Sequence, residues 1–288
     1  RLSYVLMRFR PEIEKLKARH IDADDRIVLL GSCFADNIGQ RLTRHGFSTI
    51  VNPLGPLFNP VSLADAVARA LEHRPFDISD LTLQDGVWHC LDASAAYCSE
   101  EAEQLLAALN RDFKPLTDVL TAGGCTLFAT FGTSFVYRLR QKQKIVANCH
   151  RFPACAFERQ RMSVEDIVTI WGPLLERLQQ REIRVIFTVS PVRHVADGLH
   201  ANNLSKATLH LAVDTLGAEY FPAYEIVCDD LRDYRFYGSD LKHPSEQAID
   251  YIYEKFADAY FSPATKQTAE RRYAEYLRAA HRPHQSIL

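Results

Sequence analysis

The chain lacks an excess of charge of either sign. Thirty-four Lys and Arg stand against 36 Asp and Glu over 288 residues, a formal net charge of −2. That balance excludes a broad basic coat for nucleic acid or for an anionic membrane surface. No apolar run approaches the roughly 18 residues of a membrane helix. The seven cysteines, scattered from Cys33 to Cys228, are not the dense, even set of a disulfide-framed secreted domain. They read as free thiols in a reducing compartment. Arg8, Arg10, Glu12, Glu14, Lys15 and Lys17 interrupt any signal-peptide core, and the expected location is the cytoplasm. There is no internal repeat and no low-complexity linker. Residues 1–288 are therefore expected to form a single domain, with its core over about 26–260 and a peripheral C-terminal helix over 261–288.

What is present is an ordinary globular balance, 47% hydrophobic and 24% charged, which excludes wholesale disorder. Three apolar runs, 26–30 (RIVLL), 125–131 (CTLFATF) and 184–190 (RVIFTVS), each stop at or near Gly or Pro, as buried parallel strands do. Helical spacing follows over 35–43, 63–73, 100–113, 203–217, 245–256 and 266–280. The clearest helix spans 163–180, with Ser163 as cap, Glu165 and Asp166 in its first turn, and a kink expected at Gly172-Pro173. Residues 135–140 and 144–147 suggest a hairpin, and the stretch through Trp88 fits no pattern. Strands separated by helices predict an α/β fold, a three-layer α/β/α sandwich around a central parallel sheet.

Ligands of such sheets bind beyond the carboxyl ends of the strands. The residues found there are Ser32 and Cys33, then Thr133 and Ser134, then Arg193 and His194; Asp240 and His243 precede a late helix. A thiol in the first turn of a helix meets unpaired N–H groups, which favour thiolate and could hold an oxyanion. Such a nucleophile needs a base with an orienting partner, and a turn lets Asp240 reach back to His243. From composition alone, the favoured reading is Cys33 as a small buried core residue and His243 as a surface cap of the late helix.

Several runs together resemble the GSCFA family. They are GSCFADNIG at 31–39, Asn52-Pro53-Leu54-Gly55 with Asn59-Pro60, Gly132-Thr133-Ser134-Phe135-Val136-Tyr137, and Asn148-Cys149-His150. Ser190-Pro191-Val192-Arg193-His194, Ser205-Lys206 and YFPAYEIVCDDLRDYRFYGSDLKHP at 220–244 complete the set. That family in turn is similar to the SGNH/GDSL hydrolases, flavodoxin-like α/β/α esterases and lipases. The resemblance implies a nucleophile after the first strand, where Gly31-Ser32-Cys33 stands in place of Gly-Asp-Ser. Cys33 takes the nucleophile's position, and Ser32 is its alternative in a register shifted by one. Gly55 is the implied oxyanion glycine. Ser134 replaces the usual oxyanion Asn, with Asn148 as the alternative amide. Asp240 and His243 match the D-x-x-H pair unchanged.

His150 is a candidate cleft residue, and so are Arg193 and His194. An anionic substrate group would use Arg193, and an ion pair with a nearby carboxylate is the competing reading. A Gly132-Thr133-Ser134 nucleophile elbow is disfavoured by Val136 in the position of its last glycine. Cys149, His150 and Cys155 do not fit a usual zinc spacing. Tyr234, Phe236 and Tyr237 are expected to pack beneath the D-x-x-H loop. The expected activity is acyl-group hydrolysis, of the esterase, thioesterase or deacetylase type, on a small-molecule, carbohydrate or lipid acyl substrate. It needs no metal or organic cofactor. Acyl transfer by the same triad, and ligand binding without turnover, are the alternatives. The oligomeric state is left open.

Overall fold

The computed structural model describes residues 13, 16 and 18–280. Arg8, Arg10, Glu12, Glu14, Lys15 and Lys17, and residues 281–288 of the expected tail, lie outside the described residues. The chain runs β1 (Arg26–Gly31), α1 (Cys33–Arg44), β2 (Ser48–Val51), α2 (Pro60–Leu71), β3 (Leu81–Gln84), β4 (Val87–Cys90), β5 (Cys98–Ser99) and α3 (Ala102–Ala122). It continues with β6 (Thr126–Phe131), β7 (Phe135–Leu139), β8 (Lys144–Val146), β9 (Phe157–Arg161), α4 (Val164–Gln179), β10 (Arg184–Val189) and α5 (Leu199–Leu216). It ends with β11 (Glu219–Tyr220), α6 (Ala223–Glu225), α7 (Glu246–Tyr260) and α8 (Pro263–Ala280).

Five strands form one parallel sheet in the order β2-β1-β6-β10-β11. This is the flavodoxin-like order, whose switch point lies between the first and third parallel strands. Here that is between β1 and β6. The apolar runs are continuous because both faces of the sheet are covered. Val28 and Leu30 of β1 join the core under α2, α3, α4 and α5, whereas Ile27 and Leu29 join the one under α1, α7 and α8. The fold is thus the expected three-layer α/β/α sandwich. No helix among the described residues is long and apolar enough to cross a membrane.

Two small antiparallel sheets are added to this frame, β3-β4-β5 and β8-β7-β9. The expected hairpin is β7–β8. Its third strand, β9, was invisible in the sequence because FERQR keeps only its first residue buried and carries no alternation. Helix α3 also differs from expectation. It does not stop before Pro115 but runs on, since Leu116, Val119 and Leu120 extend the buried face of Leu105, Leu109 and Phe113. Three such side chains, at about 2 kcal/mol each, outweigh the roughly 3 kcal/mol cost of an internal proline. Helix α4 passes through Pro173 and carries the expected Ser163 cap, reciprocated by Asp166.

Candidate active site

Beyond β1 the chain must turn sharply into α1, and Gly31 makes this possible. Its φ is +139°, and a Cβ there would sit 2.2 Å from the Thr130 carbonyl oxygen of neighbouring β6. Backbone cannot yield as a flexible side chain does. Gly31→Ala is therefore expected to lower unfolding stability by more than about 4 kcal/mol, measured as the shift in urea midpoint. The Gly31 N–H donates to Asn52 Oδ1 at 2.8 Å, and Asn52 Nδ2 donates to Asp36 Oδ1 at 2.7 Å. Asn52, itself in the left-handed region at φ 38°, thereby fastens the end of β1 to the first turn of α1.

Ser32 and Cys33 part company at this turn. Ser32 is 1% exposed and caps α1: its Oγ accepts from the Phe34 N–H at 3.3 Å and donates to Ser190 Oγ at 2.9 Å. Its hydroxyl is committed within the protein, whereas a nucleophile at Ser32 would need it released. Cys33 is the first residue of α1 and is half-buried. Burial pushes its thiol above the ordinary value, and the Asp36 carboxylate adds to the rise. The N–H groups of Cys33 and Phe34, and the Lys206 ammonium, pull the other way without prevailing. The resting group is a thiol, so attack by sulfur requires a base to take its proton.

Such a base is carried by the loop before α7. His243 Nδ1 lies 2.5 Å from Asp240 Oδ2, while Asp240 Oδ1 accepts the N–H groups of Lys242 and His243 at 2.9 and 3.0 Å. These bonds, with His243 first, hold the Asp240 carboxyl well below the usual carboxylate range. Nε2 of His243 makes no hydrogen bond among the described residues. The loop is docked on the segment after β10, where the Arg193 N–H donates to the Lys242 carbonyl at 3.1 Å. Ser190, on the same segment, is the partner of Ser32. The start of α7 is held to α1 as well, by Arg41 pairing with Glu246 and Asp250 at 2.7 and 2.8 Å. The Arg41 guanidinium folds back to the Asn37 carbonyl, one turn from Cys33.

Lys206 had no role assigned from sequence. It is 2% exposed, and its Nζ donates to the carbonyls of Gly132 and Ser190 at 2.7 and 2.6 Å, joining the ends of β6 and β10. Burial lowers its pKa to about 7, against the opposing pull of Cys228 and Cys33. A buried amine titrating that low binds fewer protons than it does in the unfolded chain from about pH 7 upward. Stability therefore rises with pH from about 7 toward the unfolded lysine's value of about 10.4, and below about 7, where both states hold the proton, this group adds no further pH dependence. Between pH 7 and 9, wild type is expected to gain up to about 1 kcal/mol per pH unit relative to Lys206→Met. Urea unfolding of both proteins across that window checks the slope.

The remaining candidates divide. Gly55 has φ +75°, and its N–H donates to the Asn52 carbonyl at 2.7 Å, closing a turn. That donor is not free for an oxyanion, contrary to expectation. Ser134 is fully buried, with both its N–H and its Oγ on Ser205 Oγ at 2.8 and 3.2 Å. It braces β6 against α5 and does not face a cleft. His150 is 6% exposed; its Nε2 lies 3.0 Å from the Ala93 carbonyl and its Nδ1 3.2 Å from His89 Nδ1. Both ring nitrogens are engaged, so it too is withdrawn from the cleft role expected of it. Asn148 Oδ1 accepts from the His150 N–H at 2.9 Å, and its amide N–H groups make no hydrogen bond among the described residues. His194 is half-buried, with its N–H on Asn202 Oδ1 at 3.0 Å and its ring edge-on to Phe58. Among the described residues no three His, Cys, Asp or Glu side chains gather to hold a metal ion. A cleft of about 560 Å³ opens beside Asn52, bordered by Gly55, Ser94, Tyr97 and Asp112.

The family model described as the GSCFA family matches residues 26–256 of the chain. No curated protein matches it. Among solved structures, the psychrotrophic esterase EstA from Pseudoalteromonas sp., in a structure inhibited by monoethylphosphonate, is similar at 13% identity and a TM-score of 0.33. The match covers 82% of this chain and 96% of that one. A likeness at that level carries no functional argument.

Proposed function

The chain belongs to the GSCFA family, and on that footing we propose that it is an acyl-group hydrolase acting on an ester or thioester. In this reading Cys33 is the nucleophile, His243 the general base and acid, and Asp240 the group that orients His243. The observation that carries it is the imidazole held through Nδ1 by Asp240, with Nε2 left over, on a loop tied to the segment that also holds the turn before Cys33.

The chemistry runs as follows. Sγ bonds to the acyl carbon as its proton passes to His243 Nε2. The carbonyl oxygen becomes an oxyanion that the Cys33 N–H, unpaired at a helix start, stabilises. The Asn148 amide is the remaining side-chain candidate for a second donor. His243 then gives its proton to the leaving oxygen or sulfur, and the C–O or C–S bond breaks. Water, deprotonated by His243, hydrolyses the thioester and restores the thiol. An amine or alcohol in place of that water would make the same centre an acyltransferase.

Steady-state assays on short acyl p-nitrophenyl esters, thioesters and acetylated sugars test the proposal. Turnover that disappears on alkylation of Cys33 is the expected result. Binding without turnover of any of them would make the chain a ligand-binding protein for those compounds.

A further inference from the structure

Arg193 lies on the segment that docks the His243 loop, and no carboxylate among the described residues answers its charge. The arginines Arg41, Arg69 and Arg184 are withdrawn from solvent, and each holds a carboxylate: Glu246 and Asp250, Asp80, and Glu219. Arg193 is half-buried as well, yet no carboxylate among the described residues pairs with it. Its guanidinium instead lies over the rings of Tyr237 and Tyr234, 4.4 and 5.0 Å from their centroids, and donates to Tyr234 Oη at 2.9 Å. Aromatic stacking of this kind fixes the plane of the fork without neutralising it. Most of its five N–H donors are left without a protein acceptor.

Its position adds to this. Arg193 follows Ser190, the partner of Ser32, by three residues, and its own N–H holds the carbonyl of Lys242 in the loop that carries His243. A guanidinium fixed by its aromatic neighbours, with no carboxylate against it, on the segment that docks the His243 loop, is a receptor for an oxyanion. We propose that Arg193 forms an anion-binding subsite of this centre, and that the acyl compound it serves carries a carboxylate or phosphate group. This deepens the function proposed above and rests on Cys33 and His243 forming one site.

The test compares alkylation of Cys33 by iodoacetate and by its neutral counterpart iodoacetamide, followed by peptide mass spectrometry. The ratio of the two rates is expected to fall about tenfold in Arg193→Gln relative to wild type, with Arg193→Lys between them. Dividing by the iodoacetamide rate removes any general change in thiol reactivity or access. A ratio equal in wild type and Arg193→Gln overturns the subsite. If Arg193→Gln does not fold, Arg193→Lys and competition on wild type take its place. Succinate or inorganic phosphate is expected to slow iodoacetate, whichever acts at lower concentration naming the group, and competition by neither overturns the proposal. The reagents require no turnover. An inactive protein with the ratio effect intact would remove the hydrolase reading alone, and an active one without it would remove the subsite alone.

Discussion

Replacing Cys33 with alanine is expected to lower kcat/KM on any ester or thioester the protein hydrolyses by about 10⁴-fold or more. The sulfur is the only group of the proposed triad that bonds to substrate. Ser32, its neighbour, is buried as the cap of the helix and the partner of Ser190. Ser32→Ala is therefore expected to keep most of the turnover and to cost about 1 kcal/mol of stability, the worth of an N-cap. The two substitutions separate chemistry from architecture one residue apart. Steady-state kinetics and urea unfolding of both variants provide the measurement. Equal activity in Cys33→Ala and wild type would remove the thiol mechanism, and loss in Ser32→Ala with retention in Cys33→Ala would move the nucleophile back by one residue.

Asp240→Asn is expected to lower kcat by about 10⁴-fold while leaving the fold intact. Asn keeps an oxygen to accept the N–H groups of Lys242 and His243, so the turn survives. At the other position it places an N–H₂ group against His243 Nδ1. That nitrogen can then only accept, which puts the imidazole proton on Nε2. Nε2 can no longer take the proton from Cys33. Raised burial and the Asp36 carboxylate already keep that thiol protonated, so losing the base removes the route to thiolate near neutral pH. An unchanged melting curve with collapsed turnover is the expected pair of results. Retained turnover would show that His243 is not the base or that its tautomer is not set by Asp240.

The strands of the central sheet were legible because their chemistry is local. Residues 26–30, 125–131 and 184–190 hold consecutive apolar residues (Ile27–Leu30, Leu127–Ala129 and Val185–Phe187) with no alternation, as a strand buried on both faces does. The helix over 163–180 announced itself by a cap and a 3.6-residue stripe. The edge strands β2 and β11, the sheet β3-β4-β5 and the strand β9 were not, because each is too short or too mixed in polarity to carry a pattern of its own. The end of α3 was misread for a related reason, since a local breaker was outvoted by packing that involves other elements.

At the candidate site the division is the same. Motif and spacing sufficed to bring Cys33, Asp240 and His243 forward, since a carboxylate three residues before a histidine needs only a turn to reach it. The sequence also carried Gly31 within its motif, but the need for glycine there arises from the Thr130 carbonyl of another strand. The burial of Ser32 as the cap of α1 depends on its hydrogen bond to Ser190, 158 positions away in the chain. The withdrawal of Ser134, Gly55 and His150 from their expected roles depends on Ser205, Asn52, Ala93 and His89. A donor's availability is settled by what else competes for it, and the competitors meet only when the chain is folded. Residue types and local turns therefore belonged to the sequence; the assignment of each polar group to a partner or to an open face belonged to the tertiary structure, because burial forces every such group to find its partner through space.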